Sequence, residues 1–204
     1  MALDTYSGLK AATGDWLART DLTAVIPDLI TLAEAQINRV LRTTRQLTRT
    51  TLSLSGVTAL PADFAGISSL VLQTNPVQML NYVGLDELGV LDGGYAPTGR
   101  PTAFTITQGG IEVTPAPDGA YTAELIYHAK IPALSDSNPT NWLLTEAPDV
   151  YLYGALTQGA PYLGDDARIG TWATLFTQGL TDLTAQESRI AVGPRPAMRI
   201  RRFG

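Results

Sequence analysis

Pro27-Asp28-Leu29-Ile30-Thr31-Leu32-Ala33-Glu34-Ala35-Gln36-Ile37-Asn38-Arg39 carries the clearest helical signal in the chain. Proline suits the first helical turn, and Asp28 complements the positive end of the helix dipole. Leu29, Ile30, Ala33, Ile37, Val40 and Leu41 recur at three- and four-residue spacing, the stripe of a helix with one buried face. The pattern predicts a helix from about Pro27 into the mid-forties. Upstream, Tyr6, Leu9, Thr13, Trp16 and Leu17 follow the same period, with Thr5 as N-cap, and predict a shorter first helix.

Downstream of Thr48 the period changes to two. Leu52 and Leu54 alternate with threonine and serine, and the apolar run Ile67 to Leu72 follows a turn at Leu60 to Phe64. Asn75-Pro76 marks another turn, and Val77 to Val83 is expected to form a strand. One helical turn is expected at Leu85 to Leu88, then a loop from Gly93 to Pro101. Ala103–Thr107 and Ile111–Thr114, separated by Gln108-Gly109-Gly110, predict a hairpin. Tyr121 to Ile131 is expected to form the last strand. Helical spacing returns after Asn141, with one helix opening at Pro148-Asp149 and interrupted near Pro161 to Gly164. A last helix starts at Asp165-Asp166 and buries Ile169, Trp172, Phe176, Leu180 and Leu183, before Gly193-Pro194-Arg195-Pro196 stops it.

The expected class is therefore α+β. Residues 1–48 and 141–192 form a helical bundle, two helices from each end of the chain. Residues 49–140 form an inserted small antiparallel β module with its connecting loop, and 193–204 an extended basic C-terminal arm. Two separate domains are the alternative architecture.

With 204 residues, 45% hydrophobic and 16% charged, the chain has enough apolar material for a core. Cysteine is absent and histidine occurs once, which removes thiolate zinc sites, disulfide frameworks, cysteine nucleophiles and paired-histidine metal motifs. No cofactor or metal is expected. The only lysines are Lys10 and Lys130, so there is no P-loop, and no Gly-x-Ser-x-Gly elbow occurs. No signal-peptide pattern is visible near the start, and the uncharged stretch Phe64 to Leu85 contains too many amides for a membrane span.

Charge is unevenly distributed. The chain carries −5 overall, yet its last ten residues hold Arg195, Arg199, Arg201 and Arg202 with no acid, so the preceding 194 residues carry −9. Such a body argues against a broad nucleic-acid face. In the arm, Met198, Ile200 and Phe203 place apolar anchors between arginines, a pattern suited to docking by strand addition, with a disordered terminus as the alternative. Arg39, Arg42, Arg45 and Arg49 are spaced to form a basic ribbon on the second helix. A solvated helix face explains them, as does an interface with an acidic partner or with DNA phosphates.

Other candidates have plainer explanations. His128 lies in an alternating strand with no nucleophile or orienting carboxylate marked beside it, so a half-exposed, hydrogen-bonded structural residue is expected. Asp165 and Asp166 are about 100° apart on a helical wheel, which suits capping better than shared metal ligation. Tyr82, Tyr95, Tyr121 and Tyr127 would serve a carbohydrate- or peptide-binding module. Asp86, Glu87 and Asp92 would serve a carboxylate-only hydrolase, though no pairing marks them.

Several segments resemble bacteriophage head–tail adaptor proteins related to the tail tubular protein A of short-tailed phages. They are the Pro27–Arg39 helix, Arg100-Pro101-Thr102-Ala103-Phe104 through Pro115–Tyr121, Ala129–Asp136 leading to Asn141–Leu144, and Ala147–Leu156 with Asp165-Asp166. The resemblance implies a non-enzymatic virion protein assembled in the host bacterial cytoplasm, forming a dodecameric ring that lines the genome exit channel. It implies a helical part and arm that meet the portal protein, and a β module that faces the tail nozzle or tube. Arg195, Met198, Arg199, Ile200, Arg201, Arg202 and Phe203 would be portal contacts. Arg39, Arg42, Arg45 and Arg49 would face an interface or the channel, touching double-stranded DNA without sequence specificity. No membrane contact is implied.

Overall fold

The computed structural model describes residues 3–19, 21–91, 98–164 and 167–192. The chain is α+β, with seven α-helices and two sheets among these residues. It divides into two compact units, Met1–Thr44 with Ile131–Gly204, and Arg45–Lys130.

In the first unit, α1 (Tyr6–Leu17) starts where the Thr5 hydroxyl accepts the Gly8 N–H at 3.1 Å. That bond satisfies one of the donors a helix start leaves open. Tyr6, Leu9, Ala12, Thr13 and Leu17 turn inward. Trp16, expected among them, is 46% exposed and meets Tyr153 edge-on, with ring centroids 6.0 Å apart. The helix closes on Ala18 at φ +52°, a left-handed conformation that costs a residue with a Cβ about 1 kcal/mol.

Helix α2 (Ile26–Val40) buries Ile26, Leu29, Ile30, Ala33 and Ile37 as its spacing requires. It stops several residues earlier than expected. Leu41 leaves the helix at ψ 126° and turns into the core, while Val40, placed on the apolar stripe by its spacing, is 63% exposed. Arg42 seals this end: its Nη1 donates to the carbonyls of Asn38 at 2.8 Å and Leu41 at 2.6 Å. The β-branched pair Thr43-Thr44 adds no helical preference beyond it.

Helix α5 (Pro148–Gln158) is buried on most sides and touches α1, α2 and α7 (Arg168–Val192). A Cβ on Gly154 would lie 3.0 Å from the Phe176 ring and 3.1 Å from the Ala33 methyl, so this glycine sets how closely α2 and α7 approach α5. Two short helices complete the unit. Asn141 caps α4 (Trp142–Glu146) by accepting the Leu144 N–H, and α6 is Ala160–Leu163. The C-terminal part thus has four helices rather than two. Pro161, expected to interrupt a helix, sits in the first turn of α6, where its missing N–H costs nothing.

The extended segment 131–141 is held across α2 by side chains. Asn38 Oδ1 accepts the Ile131 N–H and Glu34 Oε1 accepts the Leu134 N–H, each at 2.8 Å. Glu34 and Asn38 are four residues apart and share a helix face. Asn141 Nδ2 donates to the Pro132 carbonyl at 2.8 Å and to the Tyr151 hydroxyl at 2.7 Å. Tyr151 lies 3.4 Å from Glu34 Oε1. Burial pushes the Glu34 carboxyl above its usual range, against the lowering pull of its bonds from Leu134 and Tyr151.

In the second unit a 3-10 turn (Thr44–Gln46, starting one residue before the unit) leads into β1 (Leu47–Leu54). The first sheet has order β1-β7-β2-β3, all antiparallel, with β2 at Phe64–Leu72, β3 at Gln78–Met79 and β7 at Tyr121–Ala129. The second has order β4-β5-β6, with β4 at Asn81–Tyr82, β5 at Ala103–Thr107 and β6 at Gly110–Thr114. Its β4–β5 pair is parallel. Leu54, Leu70, Leu72, Leu80, Phe104, Ile111, Ala123, Leu125 and Tyr127 make the core.

The strand expected over 77–83 is two strands in different sheets. Buried Leu80 separates them, its N–H donating to the Leu70 carbonyl on one side while the Asn81 N–H donates to Thr102 on the other. The expected one-turn helix after it is α3 (Leu85–Leu91). The β5–β6 hairpin forms as expected, with Gly110 at φ +133°. A Cβ at Gly110 would collide with the Thr58 carbonyl, because Thr58 and Ile111 exchange backbone hydrogen bonds there. Strand β7 ends at Ala129, short of Ile131, whose N–H bonds to Asn38 instead.

Two stability tests follow from these contacts. Glu34→Ala leaves the buried Leu134 N–H without its acceptor and should cost about 1–3 kcal/mol in denaturant unfolding. Glu34→Gln keeps an acceptor and removes the charge. Because the folded pKa of Glu34 is raised, its stabilising contribution is full at low pH and declines as pH rises through that pKa. Glu34→Gln should therefore gain on the wild type between acid and neutral pH, read by melts across that range. Separately, Ala18→Gly should raise stability by about 1 kcal/mol, because glycine adopts the positive φ without strain.

Candidate interaction surfaces

The four arginines read as a helical ribbon do not form one. Only Arg39 lies on α2; Arg42 caps it, Arg45 lies in the 3-10 turn, and Arg49 is in β1. The early end of the helix is the reason, since the 100° step per residue that aligns a three-three-four spacing stops at Val40. All four are exposed. Arg49 lies 3.8 Å from Glu124 on the neighbouring strand β7, an open pair with Arg49 73% exposed. Solvent screens such a pair strongly. The arm residues Arg195, Met198, Arg199, Ile200, Arg201, Arg202 and Phe203 lie outside the described residues, as do Asp92, Tyr95, Asp165 and Asp166.

Among the described residues, Tyr82, Tyr121 and Tyr127 do not share one exposed platform. Tyr127 is buried, stacks on Phe64 with centroids 5.8 Å apart, and donates its hydroxyl to Asp63 at 2.9 Å. Burial and that bond raise its pKa. Tyr121 is half-buried and bonds Asp118 at 2.6 Å, while Tyr82 stands exposed, edge-on to Phe104. The binding-module reading loses one of its four expected exposed aromatics in Tyr127, which belongs to the core. Asp86 and Glu87 are exposed in the first turn of α3, where carboxylates complement the helix dipole. His128 is half-buried in β7, and its Nδ1 is buried without a hydrogen-bond partner among the described residues, contrary to the expected bonding. Among the described residues no three metal-ligating side chains gather, and no helix is long and apolar enough to cross a membrane.

Two apolar surfaces were not marked by sequence reasoning. In the β unit, Val77, Met79, Tyr82 and Leu85 are each more than 60% exposed within nine residues of chain. The lack of charge from Phe64 to Leu85 was their only signal, and it is equally that of buried strands. In the helical unit, a groove of about 390 Å³ is lined by Val40, Thr177, Leu180, Thr181, Thr184 and Ala185. Exposed apolar surface concentrated in patches marks contact sites more often than solvated ones.

A family model described as SU10 adaptor protein matches residues 4–199, nearly the whole chain and both compact units. No curated protein matches the chain.

The geometry separates structural contacts from solvent-facing ones in a measurable way. Tyr127→Phe removes a partly buried hydrogen bond and should cost about 1 kcal/mol of unfolding free energy. Arg49→Ala should change it by less than about 0.5 kcal/mol.

Proposed function

The chain belongs to the SU10 adaptor protein family of phage head–tail adaptors, structural components of the virion, and from that premise we propose a specific place for it in the particle. It forms a closed ring of about twelve copies between the portal protein and the tail, lining the channel through which the genome leaves. It is akin to the tail tubular protein A adaptors of short-tailed phages. The helical unit and the arm 193–204 meet the portal; the β unit meets the tail nozzle or tube, with Val77, Met79, Tyr82 and Leu85 as its apolar contact. The family match across both units is the observation that carries this reading.

The arm's chemistry supports docking on an acidic surface. Its arginines form bidentate contacts with carboxylates, and Met198, Ile200 and Phe203 add apolar burial between them. Arg39, Arg42, Arg45 and Arg49 are exposed cations within eleven residues of chain, suited to portal, neighbour or passing DNA phosphates without sequence readout. The acidic remainder of the body keeps DNA from sticking in the channel. The work is mechanical joining, with assembly in the host bacterial cytoplasm.

The purified chain mixed with its portal should give rings in negative-stain images, and wild type that stays monomeric under those conditions overturns the ring. Deleting residues 193–204 should reduce attachment to the portal at least tenfold without lowering the melting temperature. Attachment should also fall with rising salt, because the arm binds through charge. Unchanged attachment of the truncated chain rejects the arm's role.

A further inference from the structure

The extended segment 131–141 has no sheet to belong to and rests on a few fastenings. Beside the bonds from Ile131 to Asn38 and from Leu134 to Glu34, the Tyr6 N–H of α1 donates to the Pro139 carbonyl at 2.7 Å. Lys10, one turn further along α1, pairs with Asp136 at 2.8 Å, an exposed contact that solvent weakens. Ile131 and Leu134 are themselves buried. Of the groups that grip the segment, Glu34 alone is both ionisable and buried, and its 7% exposure still leaves a proton a path to water.

The bonds around Glu34 suit a neutral acid. The Leu134 N–H at 2.8 Å and the Tyr151 hydroxyl at 3.4 Å both reach Oε1, as they would the carbonyl oxygen of a protonated carboxyl. Among the described residues no hydrogen bond reaches Oε2, whereas a buried carboxylate calls for donors on both oxygens. Asn141 has none to lend, since its Nδ2 serves Pro132 and Tyr151 and its Oδ1 accepts the Leu144 N–H. No counter-charge stands by either. Tyr6 and Lys10 face this region from α1, Asp136 from the segment, Asp28 from α2 and Tyr151 from α5. Lys10 is the one cation among them, and Asp136 already answers it. Glu146, the ionisable group of α4, is exposed. Burial therefore outweighs the two bonds and disfavours the charge.

We propose that Glu34 is a proton-operated latch: carrying its proton it holds segment 131–141 against α2, and on losing it lets the segment lift locally while the helices stay folded. Lifting puts the carboxylate in water, where its charge is fully solvated. The closed form binds the extra proton, so lifting is rarest in acid. It grows as pH climbs from the ordinary carboxylate range and levels off above the raised pKa of the closed form. A single proton limits that growth to about tenfold per pH unit. Ile131 is the first residue of the helical unit to follow the β unit in the chain. A lifted segment thus leaves a longer free stretch between β7 and α4. The latch is a property of the single chain and stands or falls separately from the ring.

Amide hydrogen exchange of the purified chain tests the latch, read residue by residue from about pH 4 to 8 and corrected for the intrinsic rate. It is run where reclosing is faster than exchange. Protection of the Tyr6, Ile131 and Leu134 amides should fall together as pH rises, by up to about tenfold per unit. The fall should level off where the Glu34 carboxyl carbon titrates. The amides of Ile37 in α2 and Leu125 in β7 should not follow it. Glu34→Gln should flatten the profile, and Asp136→Asn, which removes the segment's own carboxylate, should leave it in place. A flat wild-type profile, an equal fall at Ile37 and Leu125, or a fall that survives in Glu34→Gln overturns the proposal. So does a Glu34 carboxyl that titrates in the ordinary range. If Glu34→Gln does not fold, the wild type decides alone, because levelling off at a pH other than the Glu34 midpoint rejects the latch.

Discussion

Two side chains on one face of α2 hold the helical unit together across the longest gap in its chain. Asn38 and Glu34 accept the N–H groups of Ile131 and Leu134, about a hundred residues further on. An extended segment inside a helical core has no ladder for its backbone donors, and a buried unmade bond costs more than a made one gains. The clasp resolves this, and the bonds of Asn141 to Pro132 and Tyr151 finish it. Where Leu143, Leu144, Val150 and Tyr151 pack depends on that segment arriving in register.

How much of this could be read in advance depends on the range of each interaction. The Thr5 cap, the buried face of α2 and the β5–β6 hairpin are local, and their residues announce them. The α+β class follows from the change between periods of 3.6 and 2. The end of α2 is not legible from spacing because Val40 and Leu41 both fit the apolar stripe, whereas the structure exposes one and buries the other once Arg42 caps the helix. The clasp was invisible for another reason. Glu34 and Asn38 look like ordinary polar positions of a helix, and nothing local names partners so distant.

The candidate surfaces show the same limit. Tyr127 alternates like its neighbours, and only the packing of Phe64 against it decides that it is core. The basic spacing from Arg39 to Arg49 is regular in sequence but spans a helix, a cap, a 3-10 turn and a strand. Regular spacing places side chains together only while one secondary structure continues. The apolar groove joins a residue at the end of α2 to residues of α7 well over a hundred positions away, and no motif marks such a pair.

Leu80 gives the β unit a further property. The chain around it carries exposed Val77, Met79, Tyr82 and Leu85, the composition of a segment prone to uncontrolled strand-to-strand stacking. Yet it offers only two ladder residues to each sheet before changing allegiance at Leu80. An incoming strand that paired with Gln78–Met79 would lose its template one residue later. The segment is thus adhesive through its side chains and blunt through its backbone. Such a surface can meet a neighbour through its side chains without offering an edge that seeds fibres.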